Sequence, residues 1–497
     1  MNTAIRAGRT GRGEDKTMGE IRFLLNGEEH RVTDPSPTLT LLDWLRLDAR
    51  RTGSKEGCAE GDCGACTVAL GGLDADDGLH WKAVNSCIAL LGQVDGKAVL
   101  TVEGLSQDVE AQHPVQDALV RHHASQCGFC TPGFAMSLFA FQESGPVSDG
   151  DEAIHDALAG NLCRCTGYRP IVDAAREIAT APLVDAGLSQ SEYIQALKAF
   201  RRDDTVSLHR DERSFHAPRS AAELAELLAR HPRARLLAGG TDLGLEVTKL
   251  NRKLDCVIWL GACDDLKGIA VTPQHIEIGA AVTYEEALPV LAADFPSFAT
   301  LIRRIGSRQI RNHGTLCGNI ANASPIGDTP PALIALGAVV ILRRGEALRS
   351  LPLEEFFLDY RKTALAEGEF IAAIRIPRAD PAELFRTYKI SKRYDQDISA
   401  VCAAFRLTLE GGQVRQARIA YGGMAATPVR ARALEEALIG KAWTLTTARS
   451  LGEAAEKAFR PLSDFRASAA YRAKVAGTLF ERLYRDQAGE AMEVVGL

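Results

Sequence analysis

Eight cysteines crowd into the first 165 residues of a 497-residue chain, and they fall into two quartets. The first is Cys58, Cys63, Cys66 and Cys87, reading C-x4-C-x2-C with a distant fourth. The second is Cys127, Cys130, Cys163 and Cys165, two close pairs set far apart. Thiolates are soft ligands that hold zinc or iron–sulfur centres. Each quartet obliges its stretch of chain to fold so that four sulfurs converge. The cysteines sit in metal-type spacings rather than spread as a disulfide framework, which fits a reducing, cytoplasmic setting.

The first spacing is that of plant-type [2Fe–2S] ferredoxins. In Gly57-Cys58-Ala59-Glu60-Gly61-Asp62-Cys63-Gly64-Ala65-Cys66, small residues alternate with the ligands. A loop wrapping a cluster must bring backbone N–H groups close to sulfur, and small residues permit that approach. Structural zinc sites pair close doublets, so a remote Cys87 argues against zinc. The second quartet, in Cys127-Gly128-Phe129-Cys130 and Cys163-Arg164-Cys165, fits zinc as well as iron–sulfur by spacing alone. A short C-x-C doublet and a redox neighbour favour a second [2Fe–2S] centre. Two centres in one chain suggest single-electron transfer in series.

Length predicts several domains. Glu20–Leu24 reads as a strand, Asn26-Gly27 as a tight turn and His30–Val32 as the return strand. A helix over Thr40–Leu47, the cysteine loop and a strand from Thr67 complete an α+β unit over 20–100. Four short helices are expected at Val115–His122, Pro132–Phe141, Asp151–Ala159 and Pro170–Ala179, forming a bundle within 101–181. Residues 1–19 are expected to be disordered and 182–212 to be a linker, with a helix possible at Tyr193–Phe200. An α/β part over 213–380 precedes an α+β part over 381–497, with paired strands around Gly411-Gly412 and a helical tail from Thr446. The net charge of −6 offers no basic footprint for nucleic acid, and no apolar run approaches a membrane span.

Two further motifs carry small and polar residues. Leu236-Leu237-Ala238-Gly239-Gly240-Thr241-Asp242 is an apolar strand entering a glycine turn, able to aim N–H groups at a pyrophosphate. It is not G-x-G-x-x-G, and most such turns bind nothing. In Gly314–Asp328, Asn319, Asn322 and Ser324 offer hydrogen bonds, while Asp328 or Thr329 could equally cap a helix that begins with proline. Cys256, Cys263, Cys317 and Cys402 have no ligand spacing and read as buried thiols.

In this order the motifs resemble the molybdenum hydroxylase (xanthine oxidase) family, and within it the separate iron–sulfur/FAD subunits of bacterial members. GCAEGDCGACTV, CGFCTPG and NLCRCTGYRPI are similar to its two [2Fe–2S] signatures; LLAGGTDLGL and GTLCGNIANASPIGD are similar to its two FAD motifs. The resemblance runs from residue 20 nearly to the end. It implies a β-grasp ferredoxin domain, a helical-bundle [2Fe–2S] domain, a vanillyl-alcohol-oxidase-type FAD domain and a CO dehydrogenase flavoprotein-like C-terminal α+β domain. It implies that Leu237, Ala238, Gly239, Gly240, Thr241 and Asp242 cradle the pyrophosphate. Thr315, Asn319 and Asp328 would bond FAD, with Ile371 and Lys389 beside the flavin. Animal members place phenylalanine against the flavin where Ile305 aligns here, so oxygen reactivity does not transfer.

The resemblance further implies a role without catalytic side chains of its own. Electrons from hypoxanthine or xanthine oxidation at a molybdopterin-binding large subunit would pass through both clusters to FAD and then to NAD+. The expected assembly is an (αβ)2 heterotetramer. The same architecture could serve an aldehyde or N-heterocycle dehydrogenase, because the substrate residues would lie on the partner.

Overall fold

The computed structural model describes residues 19–106, 112–145 and 150–490. Of the stretch expected to be disordered, residues 1–18 lie outside the described residues. β1 (Glu20–Leu25) and β2 (Glu28–Thr33) pair antiparallel across Asn26-Gly27. Both turn residues have positive φ, 53° and 90°, the backbone a two-residue hairpin favours. β3 (Thr67–Leu73), β4 (Leu79–Asn85) and β5 (Ala98–Leu100) complete a sheet in the order β2-β1-β5-β3-β4. The expected helix over 40–47 is a helical turn at Leu41–Asp43 that widens into a π turn at Trp44–Asp48. Ile21, Phe23 and Leu25 pack to one face with Trp44, and Leu24 to the other, so this sheet is covered on both sides.

The four helices of the bundle lie at Pro114–Arg121, Thr131–Glu143, Asp151–Leu158 and Arg169–Ile178. Thr131–Glu143 is apolar all round (TPGFAMSLFAFQE) and is buried along nearly its whole length against β3 and its neighbours. A helix that is hydrophobic on every face belongs inside. The 182–212 stretch, expected as a linker, contains a helix, Gln190–Ala199, and a strand, Val206–Arg210. Tyr193, Leu197 and Phe200 are buried with Trp81, whose ring meets Phe139 edge-on at 5.6 Å and Tyr193 at 5.2 Å. The helix read at Tyr193–Phe200 is thus present, at Gln190–Ala199, and its outward polar residues give the stretch its linker-like composition.

The next unit has two sheets. The first runs in the order 206–210, 213–217, 256–259, 235–237, with 256–259 parallel to both neighbours. The second is antiparallel, in the order 269–271, 275–279, 370–377, 339–344, 347–352. Helices including Tyr284–Asp294, Pro296–Arg303 and Thr329–Leu336 fill the space against the second sheet. The last unit is a four-stranded sheet whose long hairpin, Val401–Glu410 and Gln413–Gly422, turns at Gly411-Gly412 with both glycines at positive φ. Helices Leu445–Ala458 and Ala469–Gln487 cover it.

A buried arginine clamps the bundle to the two-sheet unit. Arg311, 1% exposed, donates to both oxygens of Asp156 in the bundle (2.6 and 2.7 Å), to Glu285 (3.1 Å) and to the Arg303 carbonyl (2.7 Å). Five guanidinium N–H groups in a fixed fork suit a site with four acceptor oxygens. Arg311→Met should lower stability on the order of 3 kcal/mol, because the charged partners lose their hydrogen bonds inside an interface. A denaturant midpoint within error of the parent would refute this role.

Candidate functional site

The hairpin of β3 and β4 assembles the first quartet. Thr67 pairs with Asn85, so Cys66, just before one strand, meets Cys87, just after the other, with sulfurs 3.2 Å apart. The Ser86 hydroxyl donates to the Cys66 carbonyl (2.6 Å), and Asn85 Nδ2 lies 3.7 Å from Cys66 Sγ. The Cys63 N–H donates to Cys58 Sγ (3.3 Å). The glycines do what the spacing required. A Cβ on Gly57 would sit 2.8 Å from Cys63 Sγ, and one on Gly61, at φ +79°, would strike Ile88 and Ile310. The sulfurs polarise one another. Hydrogen bonds from Cys63 and then Cys87 hold Cys58 well below the usual thiol range, while the same contact with Cys58 holds Cys63 above it. Were all four ionised they would need a cationic core to coexist, which a metal centre would supply.

The second quartet lies at the helix ends of the bundle. Cys130 precedes Thr131–Glu143, and Cys163 and Cys165 occupy the loop before Arg169–Ile178. Cys165 Sγ is 3.7 Å from Cys127 and 3.9 Å from Cys163. Two thiolates on one tetrahedral metal at about 2.3 Å each stand about 3.8 Å apart. The Cys163 N–H donates to the Tyr168 hydroxyl (2.9 Å), and the Thr166 N–H to Cys163 Sγ (3.4 Å). Burial, then Cys163, pushes Cys130 up to about 12. Cys130 and Cys163 are buried, whereas Cys127 is exposed.

The quartets touch. The Leu162 N–H donates to the Cys63 carbonyl (2.9 Å), so one hydrogen bond and otherwise covalent bonds join Cys63 to Cys163. On its other side the first quartet meets the glycine turn: Cβ atoms on Gly240 and Gly244 would lie 3.4 and 2.8 Å from the carbonyl of Ile88, next to Cys87. Thr248 Oγ1 and Lys249 Nζ donate to the carbonyls of Ala59 and Cys58 (2.7 Å each).

That turn forms one wall of a cleft of about 160 Å³ between the two motifs expected to hold FAD. Of the expected residues, Ala238, Gly239, Gly240, Thr241, Asp242, Thr315, Asn319 and Ile371 line it. Gly239 is obligatory, since a Cβ there would fall 1.8 Å from the His313 carbonyl. Thr315 caps Leu316–Ala321 by accepting from the Gly318 N–H (2.9 Å), which leaves its own proton for a ligand. A polar rim of Thr241, Asp242, Thr315, Asn319 and Asn322 with an apolar wall of Leu260, Phe370 and Ile371 suits an amphipathic cofactor such as FAD. Sequence reasoning missed Tyr284, Leu365 and Phe370. Tyr284 opens the helix Tyr284–Asp294, Phe370 opens the strand Phe370–Pro377 and Leu365 lies in the loop before it, and no local motif marks them.

Leu237, Asp328 and Lys389 do not line this cleft. Leu237 is buried behind the turn in the core shared with β1. Lys389 Nζ donates to Asp328 (2.7 Å) and to the Arg304 carbonyl (2.7 Å), the residue before Ile305, and Ser399 donates to the other Asp328 oxygen. Asp328 stands at the helix N-cap position, yet its side chain makes no cap hydrogen bond. Lys389 and Ser399 take its oxygens instead. Thr329, next along, donates to Asn319 at the cleft (2.6 Å). Ile305 is half-buried against the core of the second sheet.

Comparison with known proteins agrees with this layout. Residues 23–91 match the family described as 2Fe-2S iron-sulfur cluster binding domain, and 101–176 the [2Fe-2S] binding domain. Residues 210–379 match the FAD binding domain in molybdopterin dehydrogenase, and 386–487 the CO dehydrogenase flavoprotein C-terminal domain. The chain is 32% identical to xanthine dehydrogenase of Emericella nidulans over 94% of its own length and 38% of that protein. It is 33% identical to xanthine dehydrogenase 2 of Arabidopsis thaliana over 86% of its own length and 37% of that protein. It therefore spans about two fifths of the curated relatives it matches. Among solved structures, reconstituted CO dehydrogenase from Oligotropha carboxidovorans superposes with a TM-score of 0.52 at 30% identity, covering 56% of this chain and 98% of that one. Quinoline 2-oxidoreductase from Pseudomonas putida 86 gives 0.51 at 28%, covering 56% and 97%.

The Asp328–Lys389 pair yields a stability prediction. Asp328→Ala would strand a lysine whose side chain is 2% exposed, at a cost of about 3–5 kcal/mol even without cofactor. Adding Lys389→Met should restore most of that stability. A double variant as unstable as Asp328→Ala would show that the pair is not coupled.

Proposed function

The chain belongs to the molybdenum hydroxylase family, and we propose that it is the iron–sulfur/FAD electron-transfer subunit of a xanthine dehydrogenase. The observation that carries this reading is the serial contact of surface, second quartet, first quartet and cleft. When bound, the two [2Fe–2S] centres supply single-electron storage, and FAD supplies the exchange between single electrons and hydride transfer to NAD+. Cys58, Cys63, Cys66 and Cys87 hold one centre and Cys127, Cys130, Cys163 and Cys165 the other. The turn Leu237–Asp242 positions the FAD pyrophosphate, with Leu237 acting from behind the turn. Thr315 and Asn319 bond its polar groups, and Ile371 packs on its apolar part. Asp328 and Lys389 act one layer out, holding Asn319 through Thr329 and the backbone before Ile305.

The partner is a molybdopterin-bearing large subunit, in an (αβ)2 heterotetramer, at which hypoxanthine and xanthine are oxidised. Phe129, Leu162 and Tyr168 are apolar, solvent-exposed and next to the second quartet, which supports docking at that end. The names of the curated relatives support xanthine. A second reading rests on the solved relatives, a CO dehydrogenase and a quinoline oxidoreductase: the same subunit serving another molybdenum hydroxylase. Among the described residues no helix is long and apolar enough to cross a membrane; the working place proposed is the cytoplasm.

The purified chain should carry about four iron and four acid-labile sulfide, two [2Fe–2S] centres, without stoichiometric zinc. It should oxidise NADH with an artificial acceptor and hydroxylate no xanthine until the large subunit is added. In the complex, Cys127→Ser should stop xanthine-to-NAD+ turnover and largely spare NADH oxidation. Xanthine hydroxylation by the chain alone would overturn the proposal, and turnover of aldehydes or N-heterocycles instead of xanthine would select the second reading.

A further inference from the structure

One buried polar cluster joins three domains at the point where the two cysteine loops meet. Asn161, 4% exposed, stands beside Leu162, whose N–H donates to the Cys63 carbonyl. Its own Nδ2 donates to the carbonyl of the next residue, Gly64 (3.2 Å), so two neighbouring hydrogen bonds tie 161–162 to 63–64. Asn161 Oδ1 accepts from the Ser137 hydroxyl (2.7 Å) and from Gln309 Nε2 (3.1 Å). Gln309 Nε2 also reaches Ser137 (3.1 Å) and Thr67 (3.4 Å). The Ser137 and Thr67 hydroxyl protons are already spent on Asn161 and on the Gly64 carbonyl. Gln309 must therefore present its NH2 group to the cluster, and its buried Oε1 is left without a partner among the described residues.

Gln309 belongs to neither cysteine domain. It lies on the short helix Arg308–Arg311, between Ile305 and the cleft residues from Gly314. Ile310, next to it, packs with Cys66, Cys87 and Ile88. The flavin-binding unit thus reaches into the junction of the two quartets with a side chain that can only donate there.

We infer that Asn161 and Gln309 are positioning residues for electron transfer between the two centres. Asn161 fixes the loop-to-loop contact, and Gln309 makes that contact depend on the docked flavin unit. This rests on the proposal that both quartets hold [2Fe–2S] centres. In the step concerned, one electron leaves one quartet's centre and enters the other's; the first is oxidised, the second reduced, and no bond or proton moves.

The test uses the full chain with its iron restored, reduced with dithionite. Low-temperature EPR of the parent should show two cluster signals with a mutual magnetic splitting. Asn161→Ala should retain iron and both signals and lose the splitting, because the loops no longer hold one separation and orientation. Gln309→Met, which leaves Asn161 bonded to Gly64, should fold and load as the parent does and show a narrowed splitting; it decides the matter if Asn161→Ala does not fold. Parent-like splitting in both variants, with only a lower melting temperature, would make these residues merely structural and overturn the inference. A parent with fewer than two cluster signals would instead overturn the assignment of the quartets.

Discussion

The structure depends on how closely three backbones approach at the junction of the cysteine loops. A Cβ on Gly64 would lie 2.1 Å from the Gly160 carbonyl, one on Gly133 2.2 Å from the Gly64 carbonyl, and one on Gly160 2.0 Å from Gln309 Oε1. At Gly64 and Gly133 a side chain would strike backbone, and at Gly160 it would push Gln309 and Ser307 aside. Gly64 also needs its positive φ of 67°, which glycine adopts without strain. The missing side chains let carbonyls and amides of separate domains meet directly, and Asn161 then satisfies the polar groups that such contact buries. A larger residue would separate the loops and leave those groups unpaired in a dry interior.

Several buried charges are paired across the fold. Arg311 meets Asp156 and Glu285, Lys389 meets Asp328, and Arg472 meets Asp464 and the carbonyls of Ala400 and Gly423. Paired buried charges add little net stability but penalise any arrangement that separates them. Each of these side chains bridges segments far apart in sequence, so they act as registration marks between packed units. The aromatic contacts of Trp81 do the same by shape, fixing β4, the buried helix Thr131–Glu143 and the helix Gln190–Ala199 to one another.

The cleft shows a division between backbone and side chains. Its glycine turn is set by the collision that any Cβ on Gly239 would make with the His313 carbonyl. Two polar side chains at its rim are pre-engaged, since Thr315 caps a helix and Asn319 accepts from Thr329; one layer behind them Asp328 is spent on Lys389 and Ser399. Such a rim is rigid before any ligand arrives, which lowers the ordering cost of binding.

Local chemistry was legible in the sequence. The two quartets, the glycines that let a loop wrap sulfur, the Asn-Gly hairpin and the four short helices are written in spacings of a few residues, because turn geometry and helical periodicity act over that range. Inside 182–212 the helix near Tyr193–Phe200 was legible but the strand Val206–Arg210 was not, and Asp328, one of two candidate caps, bonds instead to a partner 61 positions away. Spacing alone did not say which quartet lies nearer the cleft; only the family resemblance suggested an order. Asn161 reaches Gly64 across 97 positions and meets Gln309 across 148. The sequence by itself determined which residues are candidates to hold a metal or a cofactor. Only the tertiary structure decided which of those residues touch, because contacts between distant segments follow from shape and buried polar pairing, which no local pattern encodes.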